Sequence, residues 1–369
     1  MAEGLKSSYD LIIIGAGPAG SSAARAAAQR GVKVLFIDRR QQVGIPVQCA
    51  ELVSQWISRH ASFDPKAIIQ TIDEMIIHFP DRTTFKIKSP GYMLDRSLFD
   101  KELATSAVLS GAELSTGTKA LQISSEGVLA QRDAQEEWIR TKVIIGADGV
   151  PSTVARLSRQ PSLKQLVALQ YEVVLFEPCF HTDIYFHLDY EGGYAWFFPK
   201  GNRANVGIGV IPAKASLLTE LLGRFLNDLK ISGELPRIEI VLKTGGSIPC
   251  EPRKQNVFGN ILLAGDSAGH AHPITGAGIF NAVLSGEIAG RIAAEAILRG
   301  DLSYLKNYET EWHETFGKSL QYGFLKRNFL EENWNKRAVD FKALIQKTWV
   351  GFKEYYEDRK KGLTPPTSP

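Results

Sequence analysis

The chain reads as an α/β protein: a Rossmann-like domain interrupted by an antiparallel β-sheet domain and followed by C-terminal helices. Three observations predict this. The β-branched apolar run at residues 9–14 leads through GAGPAG into the alanine-rich SSAARAAAQRG, which gives strand, tight turn and helix in succession. From residue 165 to 210 strand-like alternation replaces helical periodicity. A buried-strand pattern at 260–264 and a long small-residue helix at 278–298 then resume the first domain.

The elements follow in order. After the first helix, residues 32–37 read as a second buried strand, which completes a βαβ opening. Residues 39–90 are mixed in pattern, whereas RSLFDKELATSAVLS at 96–110 has clear helical periodicity with a glycine after it. Short strands are expected at 113–115, 120–124, 128–131 and 142–145, and an amphipathic helix at 217–229. The domain boundaries expected are 1–160 with 250–300 for the discontinuous first domain, 161–249 for the antiparallel domain, and 301–369 for a C-terminal helical segment. The Pro-rich residues 364–369 are expected to be disordered.

Composition excludes several classes. A net charge of +3 is too small for the basic stripe that nucleic acid requires, so no nucleic-acid partner is expected. The cysteines Cys49, Cys179 and Cys250 show no C-x-x-C spacing, which suggests neither a disulfide framework nor a metal site. A reducing, cytoplasmic location fits. Residues 1–9 are polar and no run approaches the roughly 18 apolar residues of a spanning helix, so any membrane contact is expected to be peripheral.

Chemistry enters with the glycines. Gly15, Gly17 and Gly20 form G-x-G-x-x-G between strand and helix, and Asp38 closes the second strand. The first glycine permits the tight turn, the second admits a pyrophosphate, the third allows close helix packing, and the acid accepts from a ribose hydroxyl. Arg39 follows that acid directly. Two later loops narrow the cofactor. VIIGADGVPSTVAR places Asp148 and Gly149 after a strand, and ILLAGDSAGHAHPITGAGIF places Asp266 after another, ahead of Gly276, Gly278 and Ile279 at a helix start.

These stretches resemble the fingerprints of FAD-dependent oxidoreductases of the p-hydroxybenzoate hydroxylase-like superfamily, which implies FAD as cofactor and Asp266 on its ribityl chain. Within that superfamily GIPVQCAE at 44–51, GGYAWFFPKGNRANVGIG at 192–209 and the GGSIPCEP-to-SGEIAG segment are similar to the geranylgeranyl reductase family. The resemblance implies reduction of isoprenoid double bonds in a prenyl diphosphate, a lipid, or a quinone or chlorophyll side chain. It also implies that Cys49 and Arg96 approach the flavin. Where many relatives read G-E-G-I, this chain has Gly276, Ala277, Gly278 and Ile279, and its HAHP is closer in style to hydroxylases.

Further expectations follow. A backbone-amide helix start near Gly276 and Gly278 stabilises negative charge on a reduced flavin. Tyr194, Trp196 and Phe198 share one strand face and are expected to wall a cavity for an apolar tail, with Gly207 on the bare return strand letting that tail approach the backbone. Alkene reduction needs a hydride and a proton, and Cys49, His270 and His272 are the candidate proton donors, Cys49 and His272 foremost. A second G-x-G-x-x-G is lacking, so NAD(P)H, ferredoxin or a quinol each remain open as electron donor. The alternatives are a flavin monooxygenase of an aromatic or lipid substrate and a non-catalytic flavin or prenyl-lipid binder. The aromatic and basic residues of 302–359 fit either a membrane-surface element or helices that cover the substrate domain.

Overall fold

The computed structural model of the chain describes residues 6–361. Residues 364–369, expected to be disordered, lie outside the described residues. The chain opens with β1 (Leu11–Ile14), α1 (Pro18–Ala28) and β2 (Val34–Ile37), then β3 (Leu52–Ser54), β4 (Ile68–His78), β5 (Thr84–Leu94) and α2 (Arg96–Leu109). Next come β6 (Glu113–Ser115), β7 (Thr118–Ser124), β8 (Gly127–Arg132), β9 (Gln135–Arg140), β10 (Val143–Gly146) and α3 (Thr153–Leu157). The middle holds β11 (Gln165–Val174), β12 (Thr182–Tyr185), β13 (Ala195–Lys200), β14 (Arg203–Val210), α4 (Leu218–Ser232) and β15 (Ile240–Pro249). The last stretch contains β16 (Val257–Phe258), β17 (Ile261–Leu263), α5 (Ile279–Arg299), α6 (Asn307–Trp312), α7 (Lys318–Asn333) and α8 (Phe341–Thr348).

One sheet has the order β16-β17-β10-β1-β2-β6, and all its pairs but β16 with β17 are parallel. Its central strands β1, β2 and β10 are buried at every residue, as strands covered on both faces must be. Helices α1 and α5 cover one face together. A Cβ on Gly286 or Gly290 would lie 2.1 Å from the carbonyl oxygen of Ala19 or Ala23, so only glycine permits this helix crossing. The small sheet β7-β8-β9 supplies Val128, Ala130 and Ile139 to the core on the opposite face.

The second sheet runs β15-β11-β14-β13-β12-β4-β5-β3, antiparallel except where β12 meets β4. Its extent corrects the expected boundaries. Residues 161–249 form only part of it, because β3, β4 and β5 join from residues 52–94. The alternating burial of β4 is the physical reason: its apolar face is satisfied only against a sheet that the sequence supplies about a hundred residues later.

This sheet carries chemistry on one face and simple core on the other. Ala195, Phe197, Val206, Ile208 and Val210 pack against Leu221, Leu222, Phe225, Leu226 and Leu229 of α4. Each large side chain there stabilises by roughly 1.5–3 kcal/mol through burial. The opposite face, with Trp196 and Phe198, meets Leu330, Trp334, Leu344, Ile345, Trp349 and Phe352 near the C-terminus. Of the C-terminal aromatics, Trp334, Trp349 and Phe352 are buried against the second sheet, Trp312 and Phe316 are buried in the core of the first domain, and Phe329 is exposed. Among the described residues no helix is long and apolar enough to cross a membrane.

Candidate active site

The three glycines of the first loop have separable roles. Gly15 has φ +106°, and a Cβ there would lie 2.3 Å from the Ala147 carbonyl oxygen; one on Gly20 would lie 1.7 Å from the Gly15 carbonyl oxygen. Both are demanded by the fold. Gly17 differs, since a Cβ on it would meet nothing within 4 Å. It faces open space at the start of α1, whose first turn has no side-chain cap. Asp38 braces this loop: its carboxylate accepts from the Ala16 amide at 2.9 Å and the Arg40 amide at 2.8 Å. Arg39 is exposed.

The two aspartates after β10 and β17 behave differently. Asp148 accepts from Ser152 Oγ at 2.6 Å and from the amides of Thr153 and Val154 at 2.6 and 3.1 Å, so its carboxylate holds its own loop at the start of α3. Gly149, at φ +74°, leaves open space where a side chain would be. The Asp266 carboxylate accepts no hydrogen bond among the described residues, although burial pushes its pKa up and only the Arg96 charge opposes this. It lies against the start of α5, where a Cβ on Gly278 would be 3.0 Å from Asp266 Oδ1. That helix, beginning at Ile279, also lacks a side-chain cap. Gly276, at φ +68°, turns the loop beside Ile248.

The histidines in this loop are neutral. Burial lowers the His270 pKa to about 3 and that of His272 to about 4. His272 Nδ1 accepts from the amides of Ile274 and Thr275 at 3.3 and 3.4 Å, so its proton resides on Nε2. His270 packs against Trp312 and Phe316 and neither ring nitrogen has a partner. Neither is an imidazolium at neutral pH, so His272, one of the candidate proton donors, holds its proton on a neutral ring.

Residues 47–51 are fastened to the second sheet one after another. The Val47 carbonyl accepts from Thr244 Oγ1 at 2.9 Å, Gln48 donates to the Gly245 carbonyl at 2.6 Å, and the Cys49 carbonyl accepts from Gln170 Nε2 at 3.0 Å. The Ala50 carbonyl accepts from Asn205 Nδ2 at 3.2 Å. Glu51 completes the series from a left-handed backbone, φ +67°. Its Oε2 accepts from Lys200 Nζ at 2.6 Å and Asn205 Nδ2 at 2.9 Å, and its Oε1 from the Arg96 amide at 3.0 Å. Arg96 in turn forks onto Asp100 at 2.8 and 2.9 Å.

Arg96 gathers the predicted residues. Its charge acts on both Cys49 and Asp266, pulling each toward its ionised form against burial. Burial dominates at Cys49, whose thiol pKa is raised. Cys49 Sγ also accepts from the Glu51 amide at 3.2 Å.

The aromatic strand has a different meaning from the one expected. Trp196 pairs in register with Gly207, and a Cβ on Gly207 would lie 2.3 Å from the indole. The space beside Gly207, expected to admit an apolar tail, is therefore filled by Trp196 itself. Its Nε1 donates to Gln170 Oε1 at 2.9 Å, which aims the Gln170 amide at the Cys49 carbonyl. Gly207 is covered and has no surface for substrate. Trp196 and Phe198 are buried, whereas Tyr194 keeps accessible surface and ties the α5 loop to the sheet by donating to the Thr275 carbonyl at 2.6 Å.

Comparison with known proteins decides the family. The family model described as the geranylgeranyl reductase catalytic domain matches residues 166–247, and the lycopene cyclase protein model matches residues 10–195. A digeranylgeranylglycerophospholipid reductase 2 of Methanococcoides burtonii is 36% identical, over 92% of this chain and 89% of its own length. The chain belongs to the geranylgeranyl reductase family of FAD-dependent oxidoreductases. A second relative, digeranylgeranylglycerophospholipid reductase 2 of Methanopyrus kandleri, is 35% identical over 89% of this chain and 88% of its own. Among solved structures, a geranylgeranyl bacteriochlorophyll reductase-like protein of Thermoplasma acidophilum superposes with TM-score 0.83 at 26% identity, covering 96% of this chain and 99% of that one. A flavin-dependent brominase shares the fold at TM-score 0.71 and 19% identity, over 96% and 98% of the two chains.

In this family setting the residues present fit FAD. Two uncapped helix starts, the open space at Gly17 and the unpartnered Asp266 carboxylate are the features such a cofactor would satisfy. Sequence reasoning missed Glu51, Lys200, Asn205 and Gln170. A Glu beside PVQCA and a Lys closing an aromatic strand were visible, yet nothing local says that they meet.

Proposed function

We propose that this member of the geranylgeranyl reductase family reduces the double bonds of geranylgeranyl-type chains in a membrane lipid of the digeranylgeranylglycerophospholipid kind. The carrying observation is Asp266, a half-buried carboxylate with no hydrogen-bond partner among the described residues at the mouth of an uncapped helix. Gly17 and the start of α1 would take the pyrophosphate of FAD, Asp38 a ribose hydroxyl, Asp266 the ribityl chain, and the start of α5 the pyrimidine edge. When bound, FAD supplies the hydride.

The protein supplies the rest. Cys49 carries its proton at neutral pH because burial raises the thiol pKa, so it is the group we assign to protonate the second alkene carbon. The Glu51 amide and the Gln170 bond to the Cys49 carbonyl hold it in place. Neutral His272 offers only its Nε2–H, a hydrogen-bond donor and not an acid. Tyr194 is the aromatic residue we assign to the prenyl chain, with Trp196 and Phe198 backing it. We further assign the electron donor to NAD(P)H, ferredoxin or a quinol, and propose peripheral contact with the membrane that holds the lipid.

The test uses the FAD-loaded protein, chemically reduced under nitrogen. Addition of a lipid with geranylgeranyl chains should reoxidise the flavin, and the saturated lipid should not. Equal behaviour with both lipids would overturn the assignment.

A further inference from the structure

Asp183 lies in β12, and Cys179 and His181 lie in the segment that leads into it, with Cys179 packed against the core on the α4 side of the second sheet. Their ligand atoms lie within 4.8 Å of one another. Cys179 Sγ is 3.9 Å from either ring nitrogen of His181, and His181 Nε2 is 3.4 Å from Asp183 Oδ2. We propose that these three side chains form a binding site for a divalent transition-metal cation of the zinc type.

The geometry is near what such an ion needs. Tetrahedral bonds of about 2.0–2.3 Å place ligand atoms roughly 3.3–3.7 Å apart, so the histidine and aspartate already comply, and the sulfur, within 4.8 Å of the other two ligand atoms, closes by rotation of the Cys179 side chain. The site is also held. His78 Nε2 bonds the other Asp183 oxygen at 2.8 Å and Tyr185 stacks on His78 at 4.1 Å, so the carboxylate is oriented by a second histidine. Gln70 Nε2 anchors the Cys179 carbonyl at 2.7 Å.

The charge balance favours a cation. Asp183 is buried with only histidines as partners among the described residues, and Glu234 lies close by through Tyr185. On binding, the metal–sulfur bond forms, the Cys179 S–H bond breaks and the proton passes to solvent; no electron is transferred. Thiolate, imidazole and carboxylate together select zinc or cobalt over magnesium or calcium. Water takes the fourth place, reached past the partly exposed His181. An ion here would tie the segment leading into β12 to that strand.

The experiment is calorimetric titration of zinc into the chelator-stripped, FAD-loaded full chain under a phosphine reductant, with zinc X-ray absorption to identify the scatterers. One zinc per chain with a single sulfur scatterer is expected. Affinity should fall at least 100-fold in Cys179→Ser and in His181→Ala, and about 10–100-fold in His78→Gln. His181 is solvent-facing, so its variant tests the site without endangering the fold. Absence of stoichiometric zinc binding, or unchanged affinity in His181→Ala, overturns the proposal. The readout is independent of turnover and so of the reductase reading.

Discussion

Replacing Lys200 with methionine removes the ammonium that faces Glu51. The two side chains are 6% and 2% exposed and 2.6 Å apart, so the carboxylate would keep only the Asn205 amide and the Arg96 amide as donors. Breaking a buried pair on one side costs about 3–5 kcal/mol, because a charge remains in the interior without compensation. With an unfolding entropy of roughly 2.1 cal/mol/K per residue, a chain of 369 residues loses about 4–6 °C in melting temperature. The double variant Glu51→Gln, Lys200→Met removes both charges and should return to within about 2 °C of wild type. Circular dichroism melts of the four proteins measure the cycle, and flavin fluorescence on the same samples reports loosening of the 47–51 loop. A wild-type melt for Lys200→Met, or a double variant no better than the single, would refute the network.

Three further outcomes follow from the site. Gly17→Ala should leave the melting temperature of the apoprotein within about 1 °C, because its Cβ meets nothing within 4 Å, yet weaken FAD binding more than tenfold in a fluorescence titration; Gly20→Ala should fail to fold. Cys49→Ala should retain FAD and lower kcat by about 100-fold, and the wild-type profile should stay flat through neutral pH and decline only above the ordinary thiol range near 8.5, since burial raises this thiol. A decline near pH 6 would contradict that assignment. The buried histidines contribute to acid stability. The unfolded imidazole titrates near about 6.5 and the folded ones at about 4 and about 3, so the unfolded chain binds more protons in that window. Their contribution is complete above about pH 6.5 and is lost as pH falls, by about 1.4 kcal/mol per unit for each histidine. His270→Phe, which fills the same aromatic niche, should roughly halve this slope in urea unfolding at stepped pH.

Local order explains what the sequence revealed. The strand, glycine loop and helix from Leu11 to Ala28 follow from β-branching, close-approach glycines and an alanine run, all read within a few residues. Likewise α2 was expected at 96–110 and spans Arg96–Leu109, because Asp95 caps it and its apolar period is unbroken. What stayed hidden depends on distant pairing. The pairing of β12 with β4 brings His78 to Asp183, and the aromatic face of β13 with the paired face of β14 delivers Lys200 and Asn205 to Glu51. The aromatic row was legible as one face, but its partner was not: the glycines of β14 accommodate the neighbouring indole, a fact set by the Trp196–Gly207 register.

The most direct test is mass spectrometry of a digeranylgeranylglycerophospholipid after anaerobic incubation with the FAD-loaded protein and a chemical reductant. The account predicts mass gains of about two hydrogens for each double bond reduced, with no gain in a control lacking protein. An unaltered lipid from protein that has bound and reduced its FAD would contradict it.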